Sequence, residues 1–113
     1  MHHWHRIAPT IEHLKFASKN MAVVELNGKQ ICIAKHGAGL FAFSNKCPHA
    51  GGSLSEGFID PLGNIVCPVH HYRYNIKTGR DTMGEGYFLK TMPVEIREDG
   101  VYVGIDESKG LFD

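Results

Sequence analysis

Two short motifs near the middle of the chain each combine a cysteine with a histidine. The first is Cys47-Pro48-His49 and the second is Cys67-Pro68-Val69-His70, with 17 residues between His49 and Cys67. A thiolate is a soft metal ligand, and neutral imidazole is a common nitrogen ligand. The four side chains therefore offer two sulfur and two nitrogen ligands, and they predict a metal centre.

The arrangement of these ligands favours two metal ions over one. A structural zinc site usually takes its ligands as a cysteine pair and a histidine pair, whereas here each motif is mixed. If the two loops face each other, both cysteines can bind one metal and both histidines another. A single zinc ion in a binding module without redox activity is the alternative.

In these residues the sequence resembles the Rieske family, whose pattern is Cys-x-His, a spacer of similar length and then Cys-x-x-His. The similarity extends over roughly residues 40–80 and includes Gly51, Gly52, Leu54, Gly57, Pro68 and residues 72–79. It implies one [2Fe–2S] cluster, with Cys47 and Cys67 on one iron and His49 and His70 on the other. It also implies an electron-transfer protein that is not itself an enzyme.

The resemblance assigns roles to four more residues around the cluster. Gly51 and Gly52 lack a Cβ, so their backbone N–H groups can approach the cluster sulfides and stabilise the reduced state. Tyr74 is expected to donate its phenolic hydrogen to a ligand sulfur, that of Cys47. Tyr72 is expected to pack as a lid over the cluster.

The sequence differs from the membrane-bound respiratory Rieske proteins at several positions near the ligands. Those proteins carry one further cysteine in each loop, joined as a disulfide, where this chain has Gly52 and Val69. They also have a Ser and a Tyr as sulfur donors at the positions that correspond to Tyr72 and Tyr74. With one donor replaced, we expect a potential in the lower half of the Rieske span of about −150 to +300 mV.

Oxygenase large subunits are also similar around the cluster, but they need a second domain with a mononuclear iron, for which 113 residues are too few. The resemblance thus implies a stand-alone Rieske ferredoxin, which takes electrons from a reductase and passes them to an oxygenase or another terminal enzyme. A small Rieske subunit or a regulatory domain of a reductase is the alternative. His71 stands where many relatives have glycine, which leaves the identity of the partner open.

The segments around the motifs read as short β-strands. Residues 21–26 and 30–34 flank Asn27-Gly28, the pair that favours a type I′ hairpin turn, and residues 92–97 and 101–105 flank Asp99-Gly100 in the same way. Residues 40–43 and 64–66 are expected to be strands that enter the two cysteine loops. The pattern predicts an all-β fold, and the resemblance implies a β-sandwich within a single domain of residues 1–113, with a cluster-binding subdomain at about 45–80.

Composition limits the partners. Twelve basic residues balance twelve acidic ones, so no overall field attracts nucleic acid or an anionic membrane. The sequence contains neither a signal-peptide pattern nor an apolar run of membrane-spanning length, and we expect a cytoplasmic protein. Around the motifs the basic and acidic side chains nearly cancel, so they predict no charge sign for a partner. These side chains are Lys46, Arg73, Lys77, Arg80, Glu56, Asp60 and Asp81.

Other cysteine and histidine residues receive no function. Cys32 lies in the apolar run of residues 30–34 and is expected to be a small buried hydrophobe. His2, His3 and His5 could bind a metal, but at a mobile terminus we expect them to be incidental.

Overall fold

The computed structural model describes residues 3–16, 20–48, 51–69 and 71–105. Within these ranges the regular structure consists of β-strands and two short 3₁₀ turns, Ile11–His13 and Leu54–Glu56, so the predicted all-β fold is confirmed. The strands are β1 His3–Ala8, β2 Met21–Leu26, β3 Lys29–His36, β4 Gly39–Ser44, β5 Phe58–Ile59, β6 Asn64–Val66, β7 Arg73–Asn75, β8 Thr91–Met92, β9 Val94–Arg97 and β10 Gly100–Ile105. None of the described helical segments is long and apolar enough to cross a membrane.

The strands form three antiparallel sheets. Their orders are β1-β10-β9, β2-β3-β4-β8 and β5-β6-β7. The third sheet is built from residues 58–75, which include the second cysteine loop. This small sheet packs against the β2-β3-β4-β8 sheet, since Ile65 and Tyr74 share a core with Cys32 and Phe43.

The first predicted hairpin is confirmed, including its turn. Leu26 pairs with Lys29, which leaves Asn27 and Gly28 as a two-residue loop. Both residues have positive φ, 52° and 79°, as a type I′ turn requires. The turn places Lys29 and the start of β3 beside the first cysteine loop.

The second hairpin forms, but its predicted turn is wrong by one residue. Gly100 pairs with Arg97, so the loop consists of Glu98 and Asp99, and Gly100 is already part of β10. A Cβ on Gly100 would lie 2.6 Å from the carbonyl oxygen of Ala8 on β1. The glycine is therefore required for close packing between strands and not for the turn.

The N-terminal strand was also not expected. Residues 3–8 pair with β10 from His3 opposite Ile105 to Ala8 opposite Val101. His3 and His5 thus belong to an ordered strand and not to a mobile terminus, whereas His2 lies outside the described residues.

The β2-β3-β4-β8 sheet has a packed core on each face. Consecutive residues of β3 point to opposite faces of the sheet and therefore enter different cores. Ile31 and Ile33 pack in a core with residues of β1 and β10. Cys32 and Ala34 pack in the other core, which also contains the cysteines of both motifs. Cys32 is fully buried, as predicted, and burial raises the pKa of its thiol to about 12. The metal centre therefore rests directly on a packed core.

Candidate metal centre

Each cysteine loop is closed by backbone hydrogen bonds at its own cysteine. The N–H of Cys47 donates to the carbonyl of Gly52 at 2.8 Å, and the N–H of Gly51 donates to the carbonyl of Cys47 at 2.8 Å. In the second loop the N–H of Cys67 donates to the carbonyl of Tyr72 at 2.8 Å. Both loops are therefore held as tight turns before any metal is considered.

The two loops bring the thiols of Cys47 and Cys67 together in the core. Their side chains are almost completely buried, with 1% and 0% exposed. Burial raises the pKa of the Cys67 thiol to about 11, the N–H of Val69 opposes this shift, and a hydrogen bond with Cys47 adds to it. Two adjacent, desolvated thiols are suited to bind one metal ion as thiolates, because the metal replaces their protons.

Both sulfur atoms have hydrogen-bond donors within reach. The hydroxyl of Tyr74, which is completely buried, lies 3.2 Å from Sγ of Cys47. The phenol is the stronger donor of the two groups, since a thiol donates weakly. The N–H of Val69 donates to Sγ of Cys67 at 3.4 Å. These donors would stabilise negative charge on the two sulfurs.

Glycine allows the two loops to approach each other. A Cβ on Gly52 would lie 2.8 Å from Cγ2 of Val69 and 3.7 Å from Sγ of Cys67. Gly51 has a φ of 72°, which favours glycine, but its N–H is directed to the carbonyl of Cys47. The Gly51 amide therefore donates within the first cysteine loop.

Tyr72 contacts a segment that the sequence did not connect with the site. Its hydroxyl donates to Oε2 of Glu85 at 2.8 Å, and this hydrogen bond raises the pKa of Tyr72 to about 12. Its ring meets that of Tyr87 edge to face, with centroids 5.8 Å apart. Tyr72 therefore ties the second cysteine loop to residues 85–87.

Asp81 holds this segment in place and was missed as a site residue. Its carboxylate accepts the backbone N–H groups of Met83 and Glu85 at 2.8 and 3.2 Å on one oxygen and that of Tyr87 at 2.8 Å on the other. Burial opposes its ionisation, but these N–H groups hold the pKa of Asp81 below its ordinary value. An Asp followed by Gly84 and Gly86 is a turn signal that could have identified it.

The two histidines of the motifs, His49 and His70, lie outside the described residues. Among the residues that are described, no group of three or more His, Cys, Asp or Glu side chains is placed to hold a metal ion. His71, which replaces a glycine of many relatives, is exposed and has a φ of 55°. That left-handed conformation explains the preference for glycine at this position.

The donor set fits a metal cluster bound through the two cysteines, and comparison with known proteins identifies the family. The sequence model of the Rieske [2Fe-2S] domain matches residues 3–85. The chain belongs to the Rieske [2Fe-2S] domain family. The predicted family and its cofactor, one Rieske [2Fe–2S] cluster, are therefore confirmed.

One relative of this Rieske protein is the 3-phenylpropionate/cinnamic acid dioxygenase ferredoxin subunit of Photorhabdus laumondii. The two are 29% identical over 70 residues, which cover 61% of this chain and 67% of the relative. The relative supports the interpretation of this Rieske protein as an electron carrier and not itself an enzyme.

Solved structures agree with the fold. A complex of reduced oxygenase and oxidised ferredoxin in carbazole 1,9a-dioxygenase contains a chain that is 26% identical, with a TM-score of 0.73 and coverage of 88% of this chain and 91% of that one. A protein assigned as the small subunit of an NADH-dependent nitrite reductase from Mycobacterium tuberculosis is 18% identical, with a TM-score of 0.77 and coverage of 94% and 97%. At that identity the second likeness shows the Rieske fold alone.

Proposed function

We propose that this Rieske protein is a ferredoxin that carries single electrons from a reductase to an oxygenase or another terminal enzyme. The observation that carries the proposal is the buried pair Cys47 and Cys67, with Tyr74 3.2 Å from one sulfur and the Val69 N–H 3.4 Å from the other. When bound, the [2Fe–2S] cluster supplies a one-electron couple. The oxygenase partner is inferred from the relative and from the ferredoxin complex described above.

In this proposal Cys47, His49, Cys67 and His70 hold the cluster. Tyr74 and the Val69 N–H stabilise negative charge on the cysteine sulfurs, while the closed loops keep that geometry fixed during reduction. Gly52 admits the opposite loop, and Tyr72 covers its side of the site by its contacts with Glu85 and Tyr87. Ligands that move little during electron transfer keep the reorganisation of the site small.

The same proposal includes the organisation and location of the chain. Residues 45–80 act as the cluster-binding subdomain of one domain over residues 1–113. They contain both cysteine loops and the separate small sheet, in which β5 and β6 precede the second cysteine loop and β7 follows it. The protein acts in the cytoplasm, where Cys47 and Cys67 stay reduced and available for iron.

A mediated reduction assay tests the proposal. A flavin-dependent ferredoxin reductase with NADPH reduces cytochrome c slowly unless a ferredoxin carries electrons between them. Adding the purified protein should stimulate cytochrome c reduction in proportion to its concentration, and the Cys47→Ala variant should not. Equal rates with both proteins would show that the metal centre carries no electrons.

A further inference from the structure

A groove of about 680 Å³ lies beside the first cysteine loop. Its walls come from the turn of the first hairpin, from the cysteine loop itself and from residues 88–90. Its described lining includes Lys29, Lys46, Cys47, Pro48, Phe88 and Lys90. This volume is in the range of about 300–1,000 Å³ that is typical of ligand pockets.

The groove is basic although the chain as a whole has no net charge. Three lysines, Lys29, Lys46 and Lys90, line it, and none of the described lining residues is Asp or Glu. The guanidinium carbon of Arg80 lies 5.5 Å from the ring centroid of Phe88, which adds a fourth cation behind one wall. Four basic side chains therefore lie in or next to one groove whose described lining has no acidic residue.

Three acidic residues near the second motif, Asp60, Asp81 and Glu85, have their printed partners outside the groove. Asp60 lies 3.3 Å from Nε of Arg73 and accepts the backbone N–H groups of Leu62 and Asn64. Asp81 accepts three backbone N–H groups, and Glu85 accepts the hydroxyl of Tyr72. The nearly neutral balance that the sequence predicted for this region therefore includes two carboxylates, those of Asp60 and Asp81, with partners outside the groove.

The groove lies next to the first cysteine loop. Cys47 and Pro48 form part of its wall, so a group bound there lies against the loop that holds a ligand sulfur. Phe88, which is 57% exposed, adds an apolar surface among the cations. Interfaces between proteins commonly combine an aromatic centre with complementary charges around it.

We propose that this groove is the docking site for an acidic segment of the redox partner, which places the partner against the Cys47 loop. The proposal rests on the proposed electron-carrier function and adds the charge of the partner surface and the face of the protein that it meets. Carboxylates of the partner face Lys46 and Lys90, and an apolar side chain contacts Phe88.

The test uses the holoprotein and two small one-electron oxidants of opposite charge, ferricyanide and tris(phenanthroline)cobalt(III). Each takes one electron from the reduced cluster, so stopped-flow rates report the local potential at the surface. Lys46→Glu/Lys90→Glu should slow the reaction with ferricyanide by about tenfold or more and accelerate the reaction with the cobalt complex. The control Lys15→Glu/Lys77→Glu, which changes net charge equally outside the groove, should alter both rates by about twofold or less.

Hexaglutamate is the probe for the acidic segment. It should inhibit the ferricyanide reaction of the unaltered protein and of the control variant, but not that of Lys46→Glu/Lys90→Glu. Equal effects of the two double variants would overturn the proposal. Inhibition by inorganic phosphate at matched charge, with none by hexaglutamate, would also overturn it and indicate a small-anion site.

Calorimetry of hexaglutamate binding separates this proposal from the proposed function, because it needs no electron transfer. Binding that is lost in Lys46→Glu/Lys90→Glu supports the groove even in a protein that fails the mediated reduction assay. Absence of binding in a protein that passes that assay contradicts the groove alone.

Discussion

The hydroxyl of Tyr74 lies 3.2 Å from Sγ of Cys47, and both side chains are buried. The two residues are 27 positions apart in the chain, on β7 and on the first cysteine loop. A donor in this position stabilises the more negative, reduced state of the centre more than the oxidised state. The strength of this one hydrogen bond should therefore appear in the reduction potential.

Tyr74→Phe should lower the potential by tens of millivolts with the iron content unchanged. A hydrogen bond to a charged group contributes about 1.5–3 kcal/mol, of which only the part that differs between the two redox states counts. A difference of about 1 kcal/mol corresponds to about 40 mV for one electron. Tyr72→Phe is the matched control, since its hydroxyl donates to Glu85. A spectroelectrochemical titration in which both variants shift equally would remove Tyr74 as the specific donor.

Replacement of any of Cys47, His49, Cys67 or His70 by Ala should abolish the assembled cluster, because each iron would lose one of its two protein ligands. Cys32→Ala should keep the cluster and lose about 0.5–1.5 kcal/mol of stability, as expected when a small buried group is removed. Iron per chain and visible absorption are the measurements. Full iron content in one of the four variants would exclude that residue as a ligand.

Asp81→Asn should lower the stability of the protein at neutral pH, because the backbone N–H groups of residues 83–87 lose an ionised acceptor. The folded-state pKa of Asp81 is depressed below its ordinary 3.8. Its contribution is therefore present above about pH 4 and is lost as the pH falls through the folded-state pKa.

Thermal unfolding between pH 7 and pH 3 tests this pH dependence. The difference in Tm between the unaltered protein and Asp81→Asn should be constant near neutral pH and should shrink in acid. The control Asp99→Asn changes an exposed carboxylate that accepts the hydroxyl of Tyr102. A difference for Asp81→Asn that does not depend on pH would show that the loop depends on packing and not on the charge.

The loops should also accept a disulfide where the respiratory Rieske proteins have one. A Cβ built on Gly52 lies 3.7 Å from Cβ of Val69, within the disulfide range of about 3.5–4.5 Å. Gly52→Cys/Val69→Cys should therefore form the bond on oxidation. Titration of the denatured, metal-free chain should then find three thiols, those of Cys32, Cys47 and Cys67, and a result of five would contradict the loop geometry.

Local signals predicted much of this protein. The hairpin at Asn27-Gly28 follows from two residues that tolerate positive φ, and the family follows from the spacing of the cysteine and histidine motifs. Contacts between segments that are distant in the chain could not be predicted from local sequence signals. Asp99-Gly100 matched a turn signal, and the sequence did not show that Gly100 packs against Ala8 on another strand. The contact between Tyr72 and Glu85 was not predicted either, because Glu85 belongs to no recognisable motif.

The distribution of charged side chains over the surface also could not be predicted from local sequence signals. Summing Lys46, Arg73, Lys77 and Arg80 against Glu56, Asp60 and Asp81 along the sequence predicted a nearly neutral region. In the folded chain Asp60 and Asp81 are engaged by Arg73 and by backbone N–H groups, while Lys46 lines a groove with two other lysines. Only the structure separates these charges into different surfaces.

The central claim is that the protein carries one electron on one [2Fe–2S] cluster, and a reductive titration combined with metal analysis tests it most directly. The purified protein should contain two irons and two inorganic sulfides per chain. Its visible iron–sulfur absorption should be bleached by one electron per chain at a single potential. One zinc per chain, with no sulfide and no electron uptake, would contradict the account.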